Sequence, residues 1–274
     1  MSKSYRELFS LEEKTAVVTG GVGILGKRFC TGLAEFGANV AVIDIDETSA
    51  NVFAKELSDA YGVKTVGIGC DIASPDSVNS MVQSVVNTLG IINILHNNAQ
   101  SHSADPVAEL ASFEDYSLDE WRHTMSVNVD GYFLVAQAVG KQILTQNTGG
   151  SVIQTASIYG LIAPDQRIYE GSFYNGRPMG TPAVYTVSKA ATIGLTKYLA
   201  TYWANQGIRV NTLTPGGVES GQNDTFKEKY SARIPLGRMA HKDEMVGALI
   251  YLASEASSYV TGQNIIVDGG LNVW

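Results

Sequence analysis

Tyr185 and Lys189 stand four residues apart in the segment Val184-Tyr185-Thr186-Val187-Ser188-Lys189-Ala190. On a helix that step sets a phenol one turn beneath an ammonium. A free phenol titrates near pH ~10, so a tyrosine that moves protons at neutral pH must be depressed by about 3 units, roughly 4 kcal/mol of preferential stabilisation of the phenolate. A lysine one turn away, helped by a neighbouring cationic ring, is a physical source of that stabilisation. An exposed pair at the same spacing contributes only about 0.2–0.5 kcal/mol. The pair therefore takes its meaning from what the chain places beside it.

One such element lies near the N-terminus, where Thr15-Ala16-Val17-Val18-Thr19 reads as a buried strand running into Gly20-Gly21-Val22-Gly23-Ile24-Leu25-Gly26. A helix follows from Ile24 to Phe36, with apolar residues at Leu25, Phe29, Leu33 and Phe36, and it stops at Gly37. Glycines let a backbone approach a pyrophosphate closely, and the new helix offers that anion unpaired N–H groups and a positive dipole end. Gly21, Gly23 and Gly26 satisfy G-x-G-x-x-G. A second strand, Asn39 to Ile43, ends in Asp44, at the distance where a dinucleotide fold sets an acid against the ribose hydroxyls. A carboxylate there accepts from a free 2′-OH and repels a 2′-phosphate. Ile45, Asp46 and Glu47 add no positive charge, so the site favours NAD over NADP. The plainer reading of Asp44 is a helix-capping acid.

The chain has 274 residues, 45% hydrophobic and 17% charged, a size and composition suited to one α/β domain. A net charge of −8 argues against partners such as nucleic acid or an anionic membrane. Cys30 and Cys70 form neither a disulfide framework nor a C-x-x-C pair, which suits a reducing, cytoplasmic setting. No apolar leader or spanning segment is evident. His96, His102, His123 and His241 lack ligand spacing, so no metal site is expected.

Helices are expected over 48–61, from a Ser74 N-cap to about Leu89, from a capping box at Ser117 and Glu120 to about Gln146, over 183–205 and over 241–254. Strands are expected over 63–69, 91–95, 151–155, 209–213 and 264–267, with a loop and short helix in between. Alternation of this kind requires right-handed crossovers. The fold class is α/β: one Rossmann-like, doubly wound parallel sheet with helices on both faces, spanning 1–274. Ligands of such sheets sit beyond the strand C-termini, where Gly20, Asp44, Asp71, Asn98, Ser157 and Pro215 all fall.

From about Leu11 onward the chain resembles the short-chain dehydrogenase/reductase family. The likeness rests on Thr19 to Gly26, Asp44, Asp71-Ile72, Asn97-Asn98-Ala99, Asn128-Val129-Asp130-Gly131, Ser157, Tyr185 to Lys189, Pro215-Gly216, Tyr259 to Gln263 and Val267 to Gly270. The resemblance implies a dehydrogenase interconverting a secondary alcohol and a ketone, with NAD as cofactor. Tyr185 is then the general acid/base, Lys189 the residue that stabilises its phenolate and holds the nicotinamide ribose, and Ser157 the partner of the substrate oxygen. Asn128 bends its helix to hold a relay water. The cofactor would lie against Gly20, Gly23, Ile24, Leu25, Gly26, Asp44, Asp71, Ile72, Asn98, Ala99, Tyr185, Lys189, Pro215, Gly216, Val218 and Ser220. The family also implies a homotetramer or homodimer, with Trp274 near an interface.

Three positions depart from the family pattern. Ile24 stands where a glycine is usual, so its side chain must point away from the pyrophosphate. Gln100 replaces the glycine that closes Asn-Asn-Ala-Gly, within reach of substrate. Ser220 replaces a threonine. Ser157 and Tyr185 lie 28 positions apart, longer than usual, and the insertion at 161–182 is rich in charges, amides and phenols. That lining suits a small polar alcohol or ketone such as a sugar, polyol or sugar acid, with Arg167 or Arg177 as candidate grips for an anionic group. The passage from Ser157 to Gly171 also resembles members linked with bacterial sugar and flagellin-glycan metabolism. Residues 1–10 form an N-terminal extension and 217–238 a mobile lid. The competing readings are a 3-oxoacyl thioester reductase and a catalytically silent dinucleotide-binding sensor or scaffold.

Overall fold

The computed structural model describes residues 4–101 and 106–274, side chains at 106 and 107 excepted. His102 and the first three residues of the extension lie outside the described residues. The first half of the chain runs β1 (Thr15–Thr19), α1 (Ile24–Glu35), β2 (Asn39–Asp44), α2 (Glu47–Tyr61), β3 (Thr65–Gly69), α3 (Pro75–Leu89) and β4 (Ile94–Asn97). There follow α4 (Pro106–Glu109), α5 (Leu118–Met125), α6 (Tyr132–Gln146), β5 (Gly150–Thr155), a hairpin of β6 (Phe173–Tyr174) and β7 (Arg177–Pro178), and α7 (Ala183–Tyr202). The chain closes with β8 (Ile208–Pro215), α8 (Asp224–Ser231), α9 (Val246–Ala253) and β9 (Asn264–Val267).

Seven strands form one parallel sheet in the order β3-β2-β1-β4-β5-β8-β9. The winding reverses between β1 and β4, which opens a crevice beyond their C-terminal ends. Both faces are covered, which is why β1 is apolar without alternation: Ala16 and Val18 pack with Phe29, Leu33 and Leu249 on one side, Val17 with Met81, Val135 and Leu199 on the other. Each fully buried aliphatic chain stabilises this arrangement by about 1.5–3 kcal/mol.

Local chemistry sets the element ends. Ser74 accepts from Ser77 N at 3.3 Å with Pro75 behind it, and Ser117 accepts from Glu120 N at 3.1 Å. β4 begins at Ile94 rather than 91, because Ile92 is bonded through both N–H and carbonyl to the Gln146 side chain (3.0 and 2.8 Å), and the Asn93 amide takes Thr15 N. The helix expected over 118–146 is interrupted by a π-helical turn, Ser126–Gly131, which separates α5 from α6. α7 ends at Tyr202, short of 205, and the helix expected over 241–254 starts as a 3-10 turn, Lys242–Met245, before α9.

The insertion folds back on the C-terminal segment. A 3-10 turn over Gln166–Tyr169 packs on α8, the Tyr169 and Phe226 rings lying 5.2 Å apart. Lys229 Nζ donates to the Glu170 carbonyl at 2.8 Å and the Ser172 hydroxyl to Asn223 at 3.3 Å. No helix among the described residues is long and apolar enough to cross a membrane, and no cluster of metal-ligating side chains is found among them.

Candidate active site

A cleft of about 810 Å³ lies at the switch between β1 and β4. It is lined by the glycine turn, Asp44, Asp71, Ile72, Asn98, Ala99, Gln100, Ser157, Tyr185, Pro215, Gly216 and Val218, with neither lysine nor arginine among its described lining residues.

The glycine turn is tight by necessity. Gly20 has φ +64°, and a Cβ on Gly26 would lie 1.9 Å from the Gly20 carbonyl oxygen, so neither position takes a side chain without moving backbone. The α1 N-cap, Gly23, makes no side-chain capping bond, which leaves the first-turn N–H groups of Ile24, Leu25 and Gly26 facing the cleft they line. That cradle fits a diphosphate. Ile24 lines the rim with its side chain 56% exposed. Asp44 accepts from Val22 N at 3.1 Å and from Asp46 N at 3.3 Å, tying the end of β2 to the turn. The cap of α2 is Asp46, which accepts from Ser49 N at 3.0 Å, so the plainer reading of Asp44 as a helix cap does not hold. Thr19 fixes the far wall: its hydroxyl accepts from Asn98 N and Ala99 N at 2.9 and 3.0 Å.

Ser157 leaves β5 and stands across from Tyr185 in the first turn of α7. Its hydroxyl accepts from Tyr159 N at 3.2 Å, shaping the strand-end turn, and its bond with Tyr185 opposes the upward push that burial gives the phenol. Lys189, one turn on, is 1% exposed. Its Nζ donates to the Thr155 carbonyl at 3.3 Å and lies 5.6 Å from the Tyr132 ring and 5.8 Å from the Tyr185 ring. Burial pulls its ammonium down to about 8. The net effect on Tyr185 is a rise, the reverse of what proton transfer at neutral pH needs.

Asn128 sits fully buried in the π turn, and both ends of its amide clamp Ser101: Oδ1 accepts from the N–H at 2.9 Å and Nδ2 donates to the carbonyl at 3.3 Å. Ser220 lies outside the cleft lining and bonds Gln222. Arg167 is also outside: its guanidinium, 82% exposed, makes two 2.8 Å bonds to Asp165, which it holds down at about 2. Arg177 is exposed on the β6–β7 hairpin. Ser101, His123 and Ser126 also line the cleft, although the sequence marks none of them as a site residue, since nothing in an isolated serine or histidine reveals the wall it will face.

A parallel doubly wound sheet, a glycine cradle and a Ser–Tyr–Lys cluster at the switch point are features of one class of dehydrogenase, and comparison with other proteins agrees. The family model described as enoyl-(acyl carrier protein) reductase matches residues 23–272. D-threitol dehydrogenase of Mycolicibacterium smegmatis is 32% identical over 97% of this chain and 95% of its own length. A short-chain type dehydrogenase/reductase from Mycobacterium marinum superimposes with TM-score 0.86 at 35% identity, covering 98% of this chain and 99% of that one. A gluconate 5-dehydrogenase from Burkholderia cenocepacia, in complex with NADP and tartrate, does so with TM-score 0.84 at 33% identity, covering 98% of each. The chain belongs to the short-chain dehydrogenase/reductase family and is an oxidoreductase acting on CH–OH groups.

Proposed function

We propose that the protein is an NAD-dependent dehydrogenase that interconverts a secondary alcohol and a ketone on a small sugar, polyol or sugar acid. The observation that carries this reading is that Ser157 and Tyr185 open into the same cleft as Asp44, and that no cationic side chain lines the described wall to receive a 2′-phosphate. The relative that binds NADP makes cofactor choice the point to test.

When bound, the dinucleotide supplies the ring that accepts a hydride from the carbinol carbon. Ser157 fixes the substrate oxygen, and the Tyr185 phenolate takes its proton during oxidation, the phenol returning it during reduction. Lys189 stabilises the phenolate. Because burial raises Tyr185, its depression requires a cationic group beside it in the cleft. The widened turn at Asn128 is the proposed seat of a water that passes the proton from Lys189 to solvent. Gln100 lies within the lining and faces the substrate. Residues 217–238 close the site and the insertion is their rest. We further propose a homotetramer or homodimer, a reading supported by the exposed, stacked Tyr198 and Tyr202 rings on α7, and a cytoplasmic setting in keeping with the two unpaired cysteines.

Titrating NADH and NADPH against the protein tests the cofactor assignment, with NADH expected to bind at least ~10-fold tighter through the Asp44 carboxylate. Tighter NADPH binding would overturn it. An alditol panel with NAD tests the reaction. A similar protein, the 3-oxoacyl-[acyl-carrier-protein] reductase of Aquifex aeolicus, 29% identical over 95% of this chain and 98% of its own length, keeps 3-oxoacyl thioester reduction as the second reading. Faster turnover of such thioesters with NADPH would favour it.

A further inference from the structure

His96 is a polar ring in the middle of an apolar strand. It is fully buried in β4, between Val18 of β1 and Ile153 of β5, with its ring edge-on to Phe29 at 4.4 Å. Burial pushes the imidazole down to about 3, so it is neutral, and its Nδ1 has no partner among the described residues. Among the described residues its polar contact is Nε2 with the Thr155 hydroxyl, at 2.8 Å. A branched aliphatic residue would fill this space without stranding a ring nitrogen, so packing does not account for the histidine.

Thr155 is the last residue of β5 and comes two before Ser157. Its following N–H, on Ala156, donates toward β8 at the Leu213 carbonyl (2.9 Å), so the Thr155 carbonyl points the other way, toward β4. β4 stops at Asn97, opposite Gln154. The carbonyl thus faces past the end of its neighbour, without a ladder partner. It accepts instead from Lys189 Nζ at 3.3 Å and from the Tyr132 hydroxyl at 3.2 Å. All four side chains are buried, Thr155 being the most accessible at 6%.

We propose that His96 is a positioning residue: by holding the Thr155 hydroxyl it fixes the orientation of the strand-end carbonyl that anchors the Lys189 ammonium beside Tyr185. The proposal rests on the reading of Tyr185 and Lys189 as the proton-transfer pair. The Ala156–Leu213 bond and the Tyr132 hydroxyl still hold that peptide without the brace, but the strand end is freer to shift, the ammonium is held less firmly, and the phenolate is stabilised less. The other titratable groups acting on Tyr185 and its surroundings are Tyr132 from α6, Tyr169 from the insertion and Tyr230 from α8. All three are phenols that stay neutral through the range concerned, burial raising each.

The test is the ionisation midpoint of Tyr185, read as the ultraviolet difference titration between each protein and its Tyr185→Phe counterpart with NAD+ bound, in wild type, His96→Val, Thr155→Val and the double variant. Either single change strands a polar group and lowers the melting temperature, whereas the double change makes an apolar pair and restores it. The midpoint is expected to stay raised by about 0.5 unit or more in all three, the double variant included. A double variant whose midpoint returns to the wild-type value along with its melting temperature would reduce His96 to a core residue and overturn the proposal. The comparison uses no turnover, so it is separate from failure of the catalytic reading, which would show as no alcohol oxidised by the wild type.

Discussion

Replacing Lys189 with methionine should stabilise the ligand-free protein while abolishing its chemistry. Burial lowers the ammonium from 10.5 to about 8, a difference of about 2.5 units, which at ~1.36 kcal/mol per unit is roughly 3 kcal/mol of folding free energy lost whenever both states would otherwise be protonated. The unfolded chain binds the proton more tightly than the folded one between these two values, so stability rises as pH climbs from 8 to 10.5 and the penalty is present in full below 8. Methionine removes the penalty and forfeits the bond to the Thr155 carbonyl, which keeps the Tyr132 hydroxyl. That loss returns about 1 kcal/mol. The net gain near pH 7 is about 2 kcal/mol, or about 5 °C in melting temperature for a chain of this size. Differential scanning calorimetry at several pH values reads it directly. A variant no more stable than its parent at neutral pH, or one whose gain does not shrink toward pH 10.5, would refute the claim that desolvation dominates at Lys189.

Other perturbations address other parts of the site. Asp44→Ser removes the carboxylate proposed to meet the ribose, and the NADH-to-NADPH affinity ratio should fall by at least ~10-fold, measured by fluorescence titration. In Gly26→Ala the new Cβ would sit 1.9 Å from the Gly20 carbonyl oxygen. Calorimetric titration should show at least ~100-fold weaker binding of either dinucleotide as the turn is forced open, with about 1–3 kcal/mol of overpacking cost to stability. Arg167→Ala should leave the KM for any polar substrate within about twofold, because its guanidinium is spent on Asp165 at the surface. A tenfold rise would return it to the substrate site.

The parallel sheet, its glycine turn and the positions of Asp44, Ser157 and Tyr185 were legible because each depends on short-range signals: buried apolar runs, glycine where backbone meets backbone, and strand ends where chain reversal opens a crevice. What was not legible depends on contacts between distant segments. The late start of β4 comes from Gln146, which binds the Ile92 backbone from 54 residues away. The family resemblance implied a bend at Asn128, but its form, a π turn over Ser126–Gly131 inside an uninterrupted helical pattern, goes with the side chain's hold on Ser101, 27 residues back, which periodicity does not show. Arg167 looked like an anion grip because its neighbours are polar, but Asp165, two residues back, captures it first. His96 fell just beyond the expected strand and lacked ligand spacing, and Thr155 read as an ordinary strand end, so neither signalled the other until the sheet set them 2.8 Å apart.

The central claim is that the Tyr185 hydroxyl carries the proton while a dinucleotide lies alongside, and the paired measurement of turnover and NAD affinity in Tyr185→Phe addresses it most directly. Loss of one oxygen should cut oxidation of the best polyol by about 10²–10⁴-fold while NAD affinity stays within a few fold. Turnover close to the wild-type rate in that variant would contradict the account.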